Sequence, residues 1–248
     1  MAPQAEHVED IPFTKQMRKA TRDIHSVSDA LINAKLGIAL SDNAVWAEGL
    51  LVFYDVFAYL ESALDRLGDS LVGELDVPGM RRRAAFEADL AHYLGAEWRL
   101  RHAPRPAVQR YLDHLADLER DEPHLLMAYI YHLYMGLLSG GQVLRAKRRL
   151  LHRVFGGSAD APGNAVTDYG AHTIRQLKTR LAAAMNAAAD QLDDVTRRQL
   201  IDESREVFVR NNEIVATVRG AEQVLLRRLG TAALLVLLLA ALYWLLLR

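Results

Sequence analysis

A chain of 248 residues, 51% hydrophobic and 25% charged, is long enough to bury a full core as one large domain or two small ones. Its net charge of −1 leaves no surplus of cations to replace phosphate counterions, which excludes a general nucleic-acid binder. With no cysteine, disulfides, thiolate metal sites and cysteine nucleophiles are excluded together, and a reducing compartment suits the chain.

Residues 1–11 are polar and acidic without a period, and are expected to be a disordered leader. From about Thr14, Met17, Thr21, Ile24, Val27 and Leu31 recur at threes and fours, the core stripe of a first helix. A second stripe, Arg18, Arg22, His25 and Asp29, lines another face of it. The histidine can bind a metal, with Asp29 accepting the other ring N–H and the arginines offering cations to anionic groups. A solvated face with an ordinary i,i+4 pattern accounts for the same residues. Ser41-Asp42-Asn43 caps a helix through Trp46, Leu50, Phe53, Phe57 and Leu60 to about Leu67. Further helices are expected over 81–93 and 107–120, separated by turns rich in Gly and Pro.

Pro123 opens a long apolar helix to about Phe155, interrupted by Tyr131 to Gln142: Tyr-His-Leu-Tyr-Met-Gly-Leu-Leu-Ser-Gly-Gly-Gln. Each helical glycine costs about 0.5–1 kcal/mol relative to alanine, so Gly136, Gly140 and Gly141 need a reason. Gly136 and Gly140 stand four apart, which bares a strip of backbone to something flat. Helix packing over small residues, or a kink, gives the same pattern. Residues 156–163 form a connector, and helices follow over 173–192 and 194–216. With no alternating pattern, the fold class is all-α, seven or eight helices around one core over 12–218. A linker is expected over 219–228.

Leu229 to Leu247 contains no charge and spans roughly 28 Å as a helix, close to the thickness of a bilayer core. Arg227 and Arg228 precede it, and Tyr243 and Trp244 suit an aromatic belt. The expectation is a C-terminal transmembrane tail anchor with the globular part on the cytosolic side.

Leu138 to Gln142 also matches the signature loop of ABC-type ATPases, but no Gly-x-x-x-x-Gly-Lys-Ser/Thr cradle accompanies it. No Gly-x-Ser-x-Gly elbow surrounds Ser139, and the nine histidines include no His-x-x-x-His pair. What remains is one histidine with cations beside it and a glycine-opened helix. A flat ligand that brings its own equatorial metal donors and acidic substituents fits those parts, and haem answers that description.

The chain resembles the haem oxygenases of the membrane-anchored animal type. The resemblance is carried by Lys19-Ala20-Thr21-Arg22-Asp23-Ile24-His25, Phe86-Glu87-Ala88-Asp89-Leu90, Pro106-Ala107-Val108-Gln109-Arg110-Tyr111 and Tyr131 to Gln142, in family order. It implies that His25 is the iron ligand with Asp29 as its partner, and that Arg18, Arg22 and Tyr131 meet the haem propionates. Gly136, Ser139, Gly140 and Gly141 would form the distal helix over the ring. Phe208 and Asn211 would also line the haem, and a cation of the Thr173 helix, placed at Arg180 by counting back from them, with Lys178 as the alternative, would complete the propionate set. The resemblance further implies ring opening of haem, both substrate and cofactor, to biliverdin, carbon monoxide and iron. That reaction would use O2 and NADPH-derived electrons from a flavoprotein reductase at the endoplasmic reticulum membrane. A haem-sensing protein with little turnover and a tail-anchored adaptor are the other readings. Arg145, Lys147, Arg148, Arg149 and Arg153 form a basic run suited to an acidic reductase or to anionic lipid.

Two departures from that family pattern coincide. Leu137 stands where an aspartate normally organises the distal water network that delivers protons, and Phe57 where a tyrosine hydroxyl of the same network is expected. His132, one turn before Gly136, is either a further pocket residue or a helix histidine without a role.

Overall fold

Thr21 divides the first expected helix in two. In the computed structural model, which describes residues 11–154 and 162–247 (without the side chains of 35–38), α1 is Phe13–Ala20 and α2 is Arg22–Leu36. The Thr21 hydroxyl donates to the Met17 carbonyl at 2.9 Å, the back-bonding through which threonine bends a helix. The apolar period runs on across the break because both halves lie on one core. The expected leader lies outside the described residues except for Ile11, which is exposed.

Among the described residues the chain is helical with no strand: α3 (Asn43–Arg66), α4 (Arg83–Leu94), α5 (Trp98–Arg101), α6 (Pro106–Asp121), α7 (Leu126–Gly136), α8 (Gln142–Val154), α9 (Ile174–Asp190), α10 (Asp194–Ala216) and α11 (Ala221–Leu246). Asp42 caps α3, its carboxylate accepting from the Ala44 and Val45 amides at 3.0 and 3.3 Å. Thr173 and Asp193 cap α9 and α10 in the same way. The connector expected over 156–163 lies outside the described residues apart from Pro162 and Gly163.

α7 is the axle. Leu126 to Tyr131, Leu133 and Tyr134 are all buried, as expected of a helix apolar on every side. α3, α6, α9 and α10 surround it. Two tyrosines tie it to its neighbours: the Tyr129 hydroxyl donates to Glu203 of α10, and the Tyr134 hydroxyl donates to the buried Glu61 of α3 at 2.9 Å. The same Glu61 oxygen accepts the amides of Arg82 and of Arg83, the latter at 3.0 Å. One carboxylate thus serves α3 and α7 and receives the orphan donors at the start of α4.

The expected linker over 219–228 is mostly helix. Gly220, at φ 85°, breaks the chain after α10, and α11 then runs without interruption from Ala221. Ala221 and Val224 are buried in the domain core, Arg227 pairs with Asp42 at 2.9 Å, and Arg228 donates to the Ser41 hydroxyl. The first two turns of α11 are therefore docked, while its remainder is long and apolar enough to cross a membrane and is wholly exposed.

Glu61→Leu leaves three donors unpaired in a buried site and is expected to cost about 3 kcal/mol or more, whereas Glu61→Gln keeps an acceptor and costs less. Urea or thermal unfolding of the detergent-solubilised chain, followed by helical circular dichroism, measures the difference.

Candidate functional site

His25 stands out on α2 because its side chain is 56% exposed yet held: Nδ1 lies 3.2 Å from the Asp29 carboxylate one turn on. That contact directs the Nδ1 proton to Asp29 and leaves Nε2 as the free, electron-donating nitrogen. From behind, the Phe208 ring of α10 packs on the imidazole with centroids 5.4 Å apart. His132 of α7 meets the same Phe208 ring edge-on, with centroids 5.1 Å apart. A stack of three rings therefore joins α2, α10 and α7.

His132 leads to the glycine segment one turn further along. There the helix does not continue in α register: Leu137–Gly141 form a π turn between α7 and α8. Such single-turn bulges widen a helix and re-aim the residues around them. Gly136, Ser139 and Gly140 are exposed, and a Cβ built at Gly136 or Gly140 meets nothing within 4 Å. The space beside them is open, so these glycines do not serve helix packing. Gly141 is different: it is buried, and a Cβ there would lie 2.9 Å from Leu137 Cδ1 and 3.6 Å from Thr167 Cγ2. It packs inward beneath Leu137, away from the open strip. Leu137 itself is partly buried against the core, so its side chain closes the turn from within.

Polar groups gather where α1 meets α7. Tyr131 is nearly buried, and burial pushes its hydroxyl pKa up, while a hydrogen bond with Thr14 and the nearby Arg18 guanidinium draw it back. The Thr14 amide donates to Asn186 of α9 at 3.0 Å, which brings a third helix to the cluster. Arg18 and Arg22 are exposed with no carboxylate partner among the described residues. On α9, at about 100° per residue, Lys178 and Arg180 lie on opposite flanks of Asn186, about 80° and about 120° round the helix from it. Lys178 is partly buried and Arg180 exposed.

Asn211 has an evident partner elsewhere: its side-chain oxygen accepts from the buried Tyr111 hydroxyl at 3.1 Å, tying α10 to α6. Nearby, Glu203 accepts from Tyr129 and pairs with His114 at 2.7 Å. Phe57 is buried against Phe86 and Tyr134, with ring centroids 5.1 and 5.2 Å apart, and offers no hydroxyl. Of the basic run, Arg148 is buried, donating to the Leu40 carbonyl and Asn43, and Arg145 donates to the Thr167 carbonyl at 3.1 Å. Those two cations hold the fold and do not form a free rim.

Sequence reasoning left His132 open and did not find Asn186 or the ring stack. The spacing of His132 before Gly136 was the available signal; the Phe208 contact joins residues far apart in the chain and left none. His25 with one free nitrogen, an open glycine strip and cations near Tyr131 fit a flat, acidic iron macrocycle. The sequence-marked residues that take internal partners instead are Gly141 and Asn211.

Comparison with known proteins agrees with this geometry. The Heme oxygenase family profile matches residues 11–217. The heme oxygenase of Rhodella violacea is 28% identical over 155 residues, covering 61% of this chain and 66% of that protein. Heme oxygenase 1 of Pongo abelii is 27% identical over 209 residues, covering 82% and 70%. The crystal structure of heme oxygenase 2 from Chlamydomonas reinhardtii, solved without heme, superposes with a TM-score of 0.74 at 33% identity over 84% of this chain and 97% of that one. The chain spans about two thirds of the length of those curated relatives. It belongs to the heme oxygenase family, the haem-degrading oxygenases.

Burial, and secondarily the charge of His25, lowers the His132 pKa from 6.5 to about 3, so the ring is neutral in the folded protein. The unfolded chain binds that proton near pH 6.5 and the folded chain does not. Stability from this group is therefore fully present above pH 6.5 and is lost as pH falls towards 3, by at most about 1.4 kcal/mol per pH unit. His132→Leu is expected to flatten the fall in unfolding free energy between pH 6 and 4, measured by denaturant titration at each pH.

Proposed function

We propose that the protein opens haem oxidatively to biliverdin, carbon monoxide and iron, with O2 and NADPH-derived electrons supplied by a partner flavoprotein reductase. The observation that carries this reading is His25: an accessible imidazole with Nδ1 held by Asp29, supported by Phe208, and linked through His132 to a glycine strip with open space beside it. His25 Nε2 holds the iron, and Gly136, Ser139 and Gly140 line the far side, where the missing side chains let the ring lie close to backbone. Arg18, Arg22 and Tyr131 hold the propionates. A cation of α9, Arg180 or Lys178, completes that set. Bound haem supplies the oxygen-activating iron and the ring that is cleaved. The protein's own part is to fix the orientation of that ring, exclude bulk water and pass protons.

Proton passage is where this chain differs from its family pattern. Leu137 and Phe57 carry no exchangeable proton, and Leu137 fills the inside of the π turn against Gly141. Protons then come from the exposed side, where the Ser139 hydroxyl and solvent stand. A C-terminal tail in the endoplasmic reticulum membrane, with the domain on the cytosolic face, is consistent with the exposed apolar length of α11.

The test is hemin titration of the full chain in detergent, then addition of NADPH and a flavoprotein reductase with spectral monitoring. A Soret band that decays as a bilin appears is the expected result; no Soret band would sink the reading, and a band that persists without bilin would mark a haem sensor. His25→Ala should bind hemin with altered iron ligation, seen as a shifted Soret maximum. Gly136→Leu should leave the melting temperature unchanged and weaken hemin binding at least about tenfold, because its side chain enters the open strip.

Leu137→Asp restores a proton-relaying group at the π turn and is expected to raise the bilin formation rate by about 10- to 100-fold, within the usual range for a positioned acid–base group. A single-turnover bilin assay in which this variant is no faster than the native chain would remove Leu137 as the limit.

A further inference from the structure

α8 has two differently built sides. Towards the core, Arg148 lies over the Trp46 and Tyr93 rings, 5.0 and 5.6 Å from their centroids, while Leu144 and Leu151 pack on the hydrophobic core. Facing outward, Val143, Leu150 and Val154 are 54%, 61% and 66% exposed. At about 100° per residue these three and Ala146 form one apolar stripe, flanked by Arg149 and Arg153 on one side and Lys147 on the other. The helix contains no Asp or Glu. An apolar stripe bordered by cations is the pattern of a helix lying in the plane of a lipid interface.

The position of α8 in the fold identifies the lipid. Arg148 donates to the Leu40 carbonyl in the turn Gly37–Ser41, and α11 grips the same region through Arg228 to Ser41 and Arg227 to Asp42. α8 and α11 thus both pack on the Gly37–Ser41 turn. The uncharged run of α11 begins just past Arg228.

We propose that the outer face of α8 rests on the surface of an anionic bilayer, with Leu150 and Val154 in the headgroup boundary and Arg149 and Arg153 on acidic lipid phosphates and carboxylates. This rests on the reading of α11 as a membrane span. Lipid is favoured over an acidic protein because α11 holds α8 next to the bilayer at all times, so contact needs no second encounter. Each cation near an anionic surface contributes roughly fivefold to the docked population. Since α8 continues from the π turn, its docking sets the height of the open glycine strip above the lipid.

The absence of cysteine permits single labels. The full chain, with an environment-sensitive fluorophore on Leu150→Cys, is reconstituted into phosphatidylcholine vesicles with and without phosphatidylserine, and quenching by lipids spin-labelled at the headgroup or deep in the acyl chain is read. Leu237→Cys reports the span itself, and Val195→Cys, at the other end of α10 from α11, reports solvent. The expected result is blue-shifted, lipid-quenched emission at 150 in the phosphatidylserine vesicles, quenching at 237 and none at 195. Arg149→Gln with Arg153→Gln should lower the docked ratio at 150 on the order of 25-fold while 237 stays quenched. Quenching at 237 with water-like emission at 150 overturns the proposal and leaves the span standing. No quenching at 237 overturns both. Emission at 150 that responds only to an added acidic flavoprotein assigns the face to a protein and likewise overturns it.

Discussion

The ring stack of His25, Phe208 and His132 is the constraint on which the site depends. A ligand held between two helices requires those helices to keep a fixed separation, and α2 does not reach α7 through a broad direct interface. α10 stands between them, packed extensively on both, and Phe208 is the contact it offers at the level of the imidazole. Neutral His132 suits this arrangement. A charged ring there would be desolvated, so burial favours the neutral state.

On the far side, the π turn performs two tasks with adjacent residues. Gly136 and Gly140 look onto open space, whereas Gly141 lets Leu137 fold inward beside Thr167. The second arrangement stabilises the turn by apolar contact in place of a polar network, while Phe57 forms an aromatic wall with Phe86 and Tyr134. Leu137 and Phe57 are thus each spent on packing. The polar role in this region passes to Glu61, whose partners are structural: a tyrosine hydroxyl and the first amides of α4. A carboxylate so occupied has little capacity left to relay protons.

Much of the fold was legible because helix ends were written locally. Asp42, Thr173 and Asp193 cap where capping residues precede an apolar period, and α10 runs over Asp194–Ala216 as expected. The exceptions share a cause in partners remote along the chain. Arg227 and Arg228 resemble a polar linker until Asp42 and Ser41 are brought beside them. Asn211 resembles a pocket amide until Tyr111 claims it. The break at Thr21 was masked because the apolar period continues through it, and the π turn because glycine spacing signals close approach but not hydrogen-bond register.

The docking of α11 changes what its apolar run means for the rest of the molecule. A flexible linker of ten residues would let the domain tumble above a membrane, since the end-to-end distance of such a chain grows only as the square root of its length. A helix buried at Ala221 and Val224 and tied at Arg227 has no such freedom, and its axis is fixed relative to α2 and the Gly37–Ser41 turn. For α11 as the proposed span, orientation at the lipid is a property of the fold itself. The side of the protein that carries α8, and with it the mouth beside Gly136 and Gly140, follows from how the first two turns of α11 pack.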